Sequence, residues 1–159
     1  VIGRQDARDG WTSGEQNTCS GARDDFSGEC GGVFDVGDEH MYAIYLQSGE
    51  RVNAELFVSN SRRCSDVRGE RVELGARLKF RFNPDRTAAG ATSCPNFVSC
   101  SAGPNYGQTF ANIRSYTASE DGWLFIVMDG GSTAFNEDRG YYTLNATLSR
   151  CETADCGCP

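Results

Sequence analysis

Four stretches of the chain place an apolar residue at every second position, and that period of two restricts the fold more than any other feature. Tyr42, Ile44 and Leu46 alternate with Ala43 and Tyr45, and Val52, Ala54, Leu56 and Val58 alternate with Asn53, Glu55 and Phe57. Leu78, Phe80 and Phe82 alternate with Lys79 and Arg81, and Tyr142, Leu144, Ala146 and Leu148 alternate with Tyr141, Thr143, Asn145 and Thr147. Successive side chains of an extended strand point to opposite faces, so each stretch turns one face to a core and the other to water. Ser48-Gly49 and Asn83-Pro84-Asp85 end two of these runs, and Asp9-Gly10, Asp121-Gly122 and Asp129-Gly130-Gly131 are further turn signals along the chain. No amphipathic stretch is long enough to predict a helix.

The expectation is an all-β domain, a β-sandwich or jelly-roll-like fold, stabilised by disulfides. The first two alternating runs, joined through Ser48-Gly49, read as a hairpin. Tyr42, Ile44, Leu46, Leu56, Leu78, Phe80, Phe125, Val127, Tyr142 and Leu144 are the expected inward-facing residues. The run Trp123-Leu124-Phe125-Ile126-Val127-Met128 is apolar in both phases. It suits a central strand covered on both sides, and it is far shorter than the about 20 residues of a transmembrane helix.

Eight cysteines, Cys19, Cys30, Cys64, Cys94, Cys100, Cys151, Cys156 and Cys158, punctuate the 159 residues. An even number at this density points to an oxidising compartment and a disulfide framework. With one histidine and no C-x-x-C pair, a zinc site has little support. Cys19–Cys30 and Cys94–Cys100 each bracket a short polar loop and are the expected local pairs, leaving Cys64 to reach Cys151, Cys156 or Cys158. Val1 in place of a methionine fits a mature, secreted chain whose signal peptide has been removed.

Residues 1–18 read as a polar amino-terminal arm, 19–150 as a single sandwich domain and 151–159 as a cysteine-rich tail. Such an arm orders only when docked. Docking as an added strand on a neighbouring copy, through Val1, Ile2 and Trp11, would give a self-assembling fibre or surface-layer subunit. Asn145-Ala146-Thr147 is a glycosylation sequon, and the alternation turns Asn145 outward.

The strand series resembles the bacterial pre-peptidase C-terminal domain family. The likeness runs through Asp38-Glu39-His40-Met41-Tyr42-Ala43-Ile44-Tyr45-Leu46-Gln47-Ser48-Gly49, then Leu78-Lys79-Phe80-Arg81-Phe82. It continues through Glu120-Asp121-Gly122-Trp123-Leu124-Phe125-Ile126-Val127 to Gly140-Tyr141-Tyr142-Thr143-Leu144-Asn145-Ala146-Thr147. The resemblance implies a small jelly-roll-like sandwich in a non-catalytic accessory role, sometimes with calcium, and it points to Asp38 and Glu39 as candidate calcium ligands. Other acidic pairs read as solvated turns.

A net charge of −7, with Lys79 the only lysine, disfavours a basic face for nucleic acid. His40 is the sole histidine and no G-x-S-x-G element accompanies it. It therefore reads as a surface histidine at a strand edge, and the expected function is not catalytic. Self-assembly with copies of itself is the first reading. A monomeric accessory module that binds a protein, a polysaccharide or calcium for a secreted protein is the alternative.

Overall fold

The computed structural model describes residues 1–19, 39–65, 71–72, 76–84, 97–101, 111–130 and 140–150. Along the chain these form helix α1 (Arg4–Arg8) and strands β1 (Trp11–Asn17), β2 (His40–Leu46), β3 (Glu50–Ser65), β4 (Arg71–Val72), β5 (Ala76–Asn83), β6 (Phe97–Ser101), β7 (Ala111–Thr117), β8 (Gly122–Gly130) and β9 (Gly140–Arg150). The strands make two antiparallel sheets, an all-β sandwich. One has the order β1-β9-β3-β4, with β7 also paired to β3, and the other runs β2-β8-β5-β6.

The alternation predicted for the four runs is realised. Ile44, Leu46, Leu78 and Phe80 from one sheet and Val52, Ala54, Leu56, Val58, Tyr142, Leu144, Ala146 and Leu148 from the other share one buried cluster. Tyr42 and Phe82 pack against its margin. Along β9 the exposed or half-buried positions alternate with buried ones from Gly140 to Leu148. Burial of this kind is what holds two sheets face to face.

Three expectations are corrected. First, β2 and β3 are not a hairpin. β2 pairs with β8, Tyr42 opposite Ile126, whereas β3 pairs with β9, Leu56 opposite Leu144. The turn Gln47-Ser48-Gly49 carries the chain from one sheet to the other, closed by the Glu50 N–H donating to the Gln47 carbonyl at 3.0 Å. Second, β8 is buried on both faces, but Leu124, Ile126 and Met128 enter the shared core. Phe125 and Val127 lie in the opposite phase, across from Ala43 and Met41 of β2 and from Arg81 and Lys79 of β5. A run apolar in both phases carries no signal for which phase turns inward.

Third, the amino-terminal arm belongs to its own sandwich rather than to a neighbouring copy. Ile2 and Ala7 are buried in the core, and the Ile2 N–H donates to the Ala43 carbonyl at the edge of β2, 2.7 Å away. β1 pairs along β9, with a register shift between Thr12 and Glu15 where Gly14 adopts φ +64°. Of the residues expected to anchor assembly, Ile2 is thus internal, Trp11 packs edge-on against Tyr42 at 5.4 Å, and Val1 is exposed. A helix of five residues, α1, crosses between the two sheet edges.

Glu50 ties the arm down. Its carboxylate, nearly fully buried, accepts from Arg4 Nη2 at 2.5 Å, Arg8 Nη2 at 3.1 Å and the Gln47 N–H at 2.8 Å. Burial pushes its pKa up, but the Gln47 N–H and the two guanidiniums outweigh burial and hold it below the usual carboxylate value. A lowered folded-state pKa adds stability above the unfolded value, roughly 4.3, and that stability is lost as pH falls through the folded value.

Two predictions follow from these contacts. Leu144→Ala should cost about 2–5 kcal/mol in urea unfolding through lost burial and a cavity, whereas Asn145→Ala, outward on the same strand, should cost under about 0.5 kcal/mol. Glu50→Gln should lower stability at neutral pH by about 1.5–3 kcal/mol, the range for hydrogen bonds to a charged group. Its difference from the native chain should vanish once acid has protonated the native carboxyl, which denaturation curves across pH will resolve.

Candidate binding face

The sandwich turns the outer side of its five-stranded sheet to solvent, and register places the outward side chains in rows. Thr117, Arg51 and Ser149 form one row, and Ser115, Asn53 and Thr147 the next. Ile113, Glu55, Asn145 and Thr12 follow, then Phe57 with Thr143 and Glu15. Most of these are hydroxyls, amides and charges, as expected of a solvated sheet face. Two are not: Ile113 is 63% exposed and Phe57 36%. Arg51 lies across the rows, its Nε donating to Asn53 Oδ1 at 3.2 Å and its Nη2 to Ser115 Oγ at 3.0 Å.

Between the rows is a hollow of about 130 Å³ lined by Asn53, Ala54, Glu55, Ile113, Asn145 and Thr147. Ala54 forms the floor because it faces the core, being only 1% exposed. Asn145 and Thr147 of the sequon stand on this same face, with Asn145 half-buried and Thr147 exposed.

At the opposite side of the sheet, inside the sandwich, His40 is half-buried rather than a free surface residue. Its Nδ1 lies 2.5 Å from the Tyr142 hydroxyl, which lies 2.7 Å from the Tyr42 hydroxyl. Burial raises the pKa of both tyrosines. For Tyr142 the neighbouring Tyr42 adds to the rise, while for Tyr42 the hydrogen bonds with Tyr142 and Ser13 partly oppose it. The phenols therefore stay protonated, and the chain of hydroxyls links β2 in one sheet to β9 and β1 in the other.

The remaining sequence-derived site residues separate clearly. Cys19 is bonded to Cys64 across 45 residues, with Cα atoms 5.2 Å apart. This overturns both the Cys19–Cys30 pair and the reach of Cys64 to the carboxyl-terminal tail. The cause is β1 running beside β9, which brings its end to the far part of β3: Thr18 and Gly140 exchange hydrogen bonds, and Arg63 stands opposite Gly140. Cys30, Cys94, Cys151, Cys156 and Cys158 lie outside the described residues, as do the side chain of Cys100 and Asp38. Glu39 is buried, at 6% exposure. Among the described residues no group of three or more His, Cys, Asp or Glu side chains could hold a metal ion.

Sequence reasoning missed the hollow and Ile113. The signal was present but inverted: in β7, Arg114 is paired with the inward-facing Ala54, while its apolar neighbour Ile113 is paired with the outward-facing Glu55. Alternation alone assigns the apolar phase to the core, so the inversion is visible only once the partner strand is known.

Fold and face together define a two-sheet β-sandwich with one solvent-facing sheet that carries apolar residues among polar rows. No family model matches the chain, and no curated protein matches it. Among solved structures it is similar to the crystal structure of Aeromonas hydrophila PliG, a periplasmic lysozyme inhibitor of g-type lysozyme. The two are 10% identical with a TM-score of 0.49, over 94% of this chain and 93% of that one.

The hydroxyl chain makes a test of its own. Tyr142→Phe removes the partner shared by His40 and Tyr42 inside the sandwich, and urea unfolding should show a loss of about 1–3 kcal/mol.

Proposed function

We propose that the chain is a non-catalytic binding module that holds a protein partner on the solvent-facing side of its five-stranded sheet, in an oxidising compartment outside the cytosol. The observation that carries this reading is the pair Ile113 and Phe57, exposed at neighbouring rows of an otherwise polar face beside a hollow. Apolar residues ringed by polar ones are the usual anatomy of a contact patch. The Cys19–Cys64 disulfide supports the compartment. The docked arm supports a binding module over self-assembly, because β1 is already paired within its own sheet. An accessory role of the pre-peptidase C-terminal kind is consistent with this reading and remains part of the proposal.

With a net charge of −7, the natural partners are basic proteins. The test is surface plasmon resonance of the immobilised chain against a panel of basic secreted proteins, a g-type lysozyme among them. At least one should bind. Ile113→Lys should weaken that binding tenfold or more, about 1.4 kcal/mol, without moving the melting temperature. Undiminished binding by the variant would move the contact off this face, and silence across the whole panel would remove the reading.

A further inference from the structure

Resting on that reading, we propose that the hollow on the five-stranded sheet is a receptor for one cationic side chain, an arginine or lysine, of the protein partner. Its chemistry matches such a group part by part. Glu55 is the one ionisable residue among those that line it. In register, Glu55 stands between Ile113 on β7 and Asn145 on β9. A carboxylate flanked by an aliphatic wall and a carboxamide suits a side chain with an apolar stem and a charged head. The amide oxygen of Asn145 and the hydroxyl of Thr147 add acceptors, and a guanidinium has five N–H donors to give them.

Charge and size narrow the occupant. Among the described residues, Arg4 and Arg8 both pair with Glu50, and Glu55 takes part in neither salt bridge. The nearby cation, Arg51, borders the hollow through its hydrogen bond to the lining residue Asn53 and its second bond to Ser115, and it is not itself part of the lining. The one charge on the lining is thus the Glu55 carboxylate, within a chain of net charge −7, which disfavours phosphates and acidic peptides. At about 130 Å³ it falls well below the roughly 300–1,000 Å³ typical of small-molecule sites. It has room for one side chain, not for a sugar ring with its neighbours.

The probe is a tetra-arginine peptide, titrated into isotopically labelled protein at low salt and followed by NMR. The side-chain amides of Asn53 and Asn145 and the methyls of Ile113 should shift together. Glu55→Gln should weaken the peptide tenfold or more, whereas Glu120→Gln, which removes the same charge at an exposed position elsewhere, should change affinity less than twofold. Melting curves show that each variant is folded, and Ile113→Ser, which shortens the wall but keeps the carboxylate, should also weaken the peptide. Equal losses for Glu55→Gln and Glu120→Gln would mean attraction to net charge alone and overturn the receptor. Shifts confined to another surface, or no binding, would overturn it as well. Neither result touches the partner-binding reading, which stands or falls on the response of a bound protein to Ile113→Lys.

Discussion

Everything in this sandwich depends on two crossings that are sewn to each other. The chain passes between sheets at Gln47-Ser48-Gly49 and again between β7 and β8. The Gly49 N–H donates to the Ala118 carbonyl at 2.8 Å, and the Ala118 N–H donates to the Glu50 carbonyl at 2.9 Å. Ser48 adds two more bonds, its N–H to Asp121 Oδ1 and its hydroxyl to the Ser119 carbonyl. Apart from the hydroxyl chain of His40, Tyr142 and Tyr42, the described contacts between the faces of the two sheets are mainly side-chain packing, which has no direction. The crossings supply direction, and the buried Glu50 carboxylate at their centre couples them to α1. Where the second crossing enters β8, Gly122 lies against the end of β5: a Cβ there would stand 2.6 Å from the Phe82 ring and 2.7 Å from the Asn83 carbonyl oxygen.

How much of this was legible in the residues depends on what each signal encodes. Alternation encodes a face, so Ile44, Leu56, Phe80 and Leu144 were readable as inward. It does not encode a partner, so Ser48-Gly49 looked like a hairpin turn when it is a crossing. Turn chemistry is the same in both cases; only the strands that flank it decide. Trp123–Met128 was readable as buried on both sides for the same reason that its phase was not. The Cys19–Cys64 pairing depends on β1 lying beside β9, a contact between residues more than a hundred positions apart, and loop-bracketing arguments favour near neighbours by construction. Ile2 and Ala7 were hidden because a sparse apolar pattern in a polar segment looks like an arm until its docking groove exists.

The outer sheet face joins two readings that exclude each other in space. Asn145 and Thr147 belong both to a glycosylation sequon and to the rim of the hollow. A glycan on Asn145 would occupy the space that the proposed side chain of a partner would fill, so the two uses would exclude each other. The same side chains cost the fold little in either role, since Glu55, Asn145 and Ile113 contribute nothing to the buried cluster. Substitutions on this outer face therefore leave the buried cluster on the inner face of β3 and β9 untouched. That separation lets a sandwich keep its architecture while its surface changes.

The kink in β1 has a bearing on life at high concentration. A sheet ending in a straight strand offers an uninterrupted row of donors and acceptors, which invites a second molecule to continue the sheet. Among the described residues β1 stands at such an end, but the left-handed Gly14 and the shifted register between Thr12 and Glu15 break the row in its middle. An incoming strand could match one half or the other, not both. The glycine thereby interrupts the ladder that a straight edge would offer to another strand.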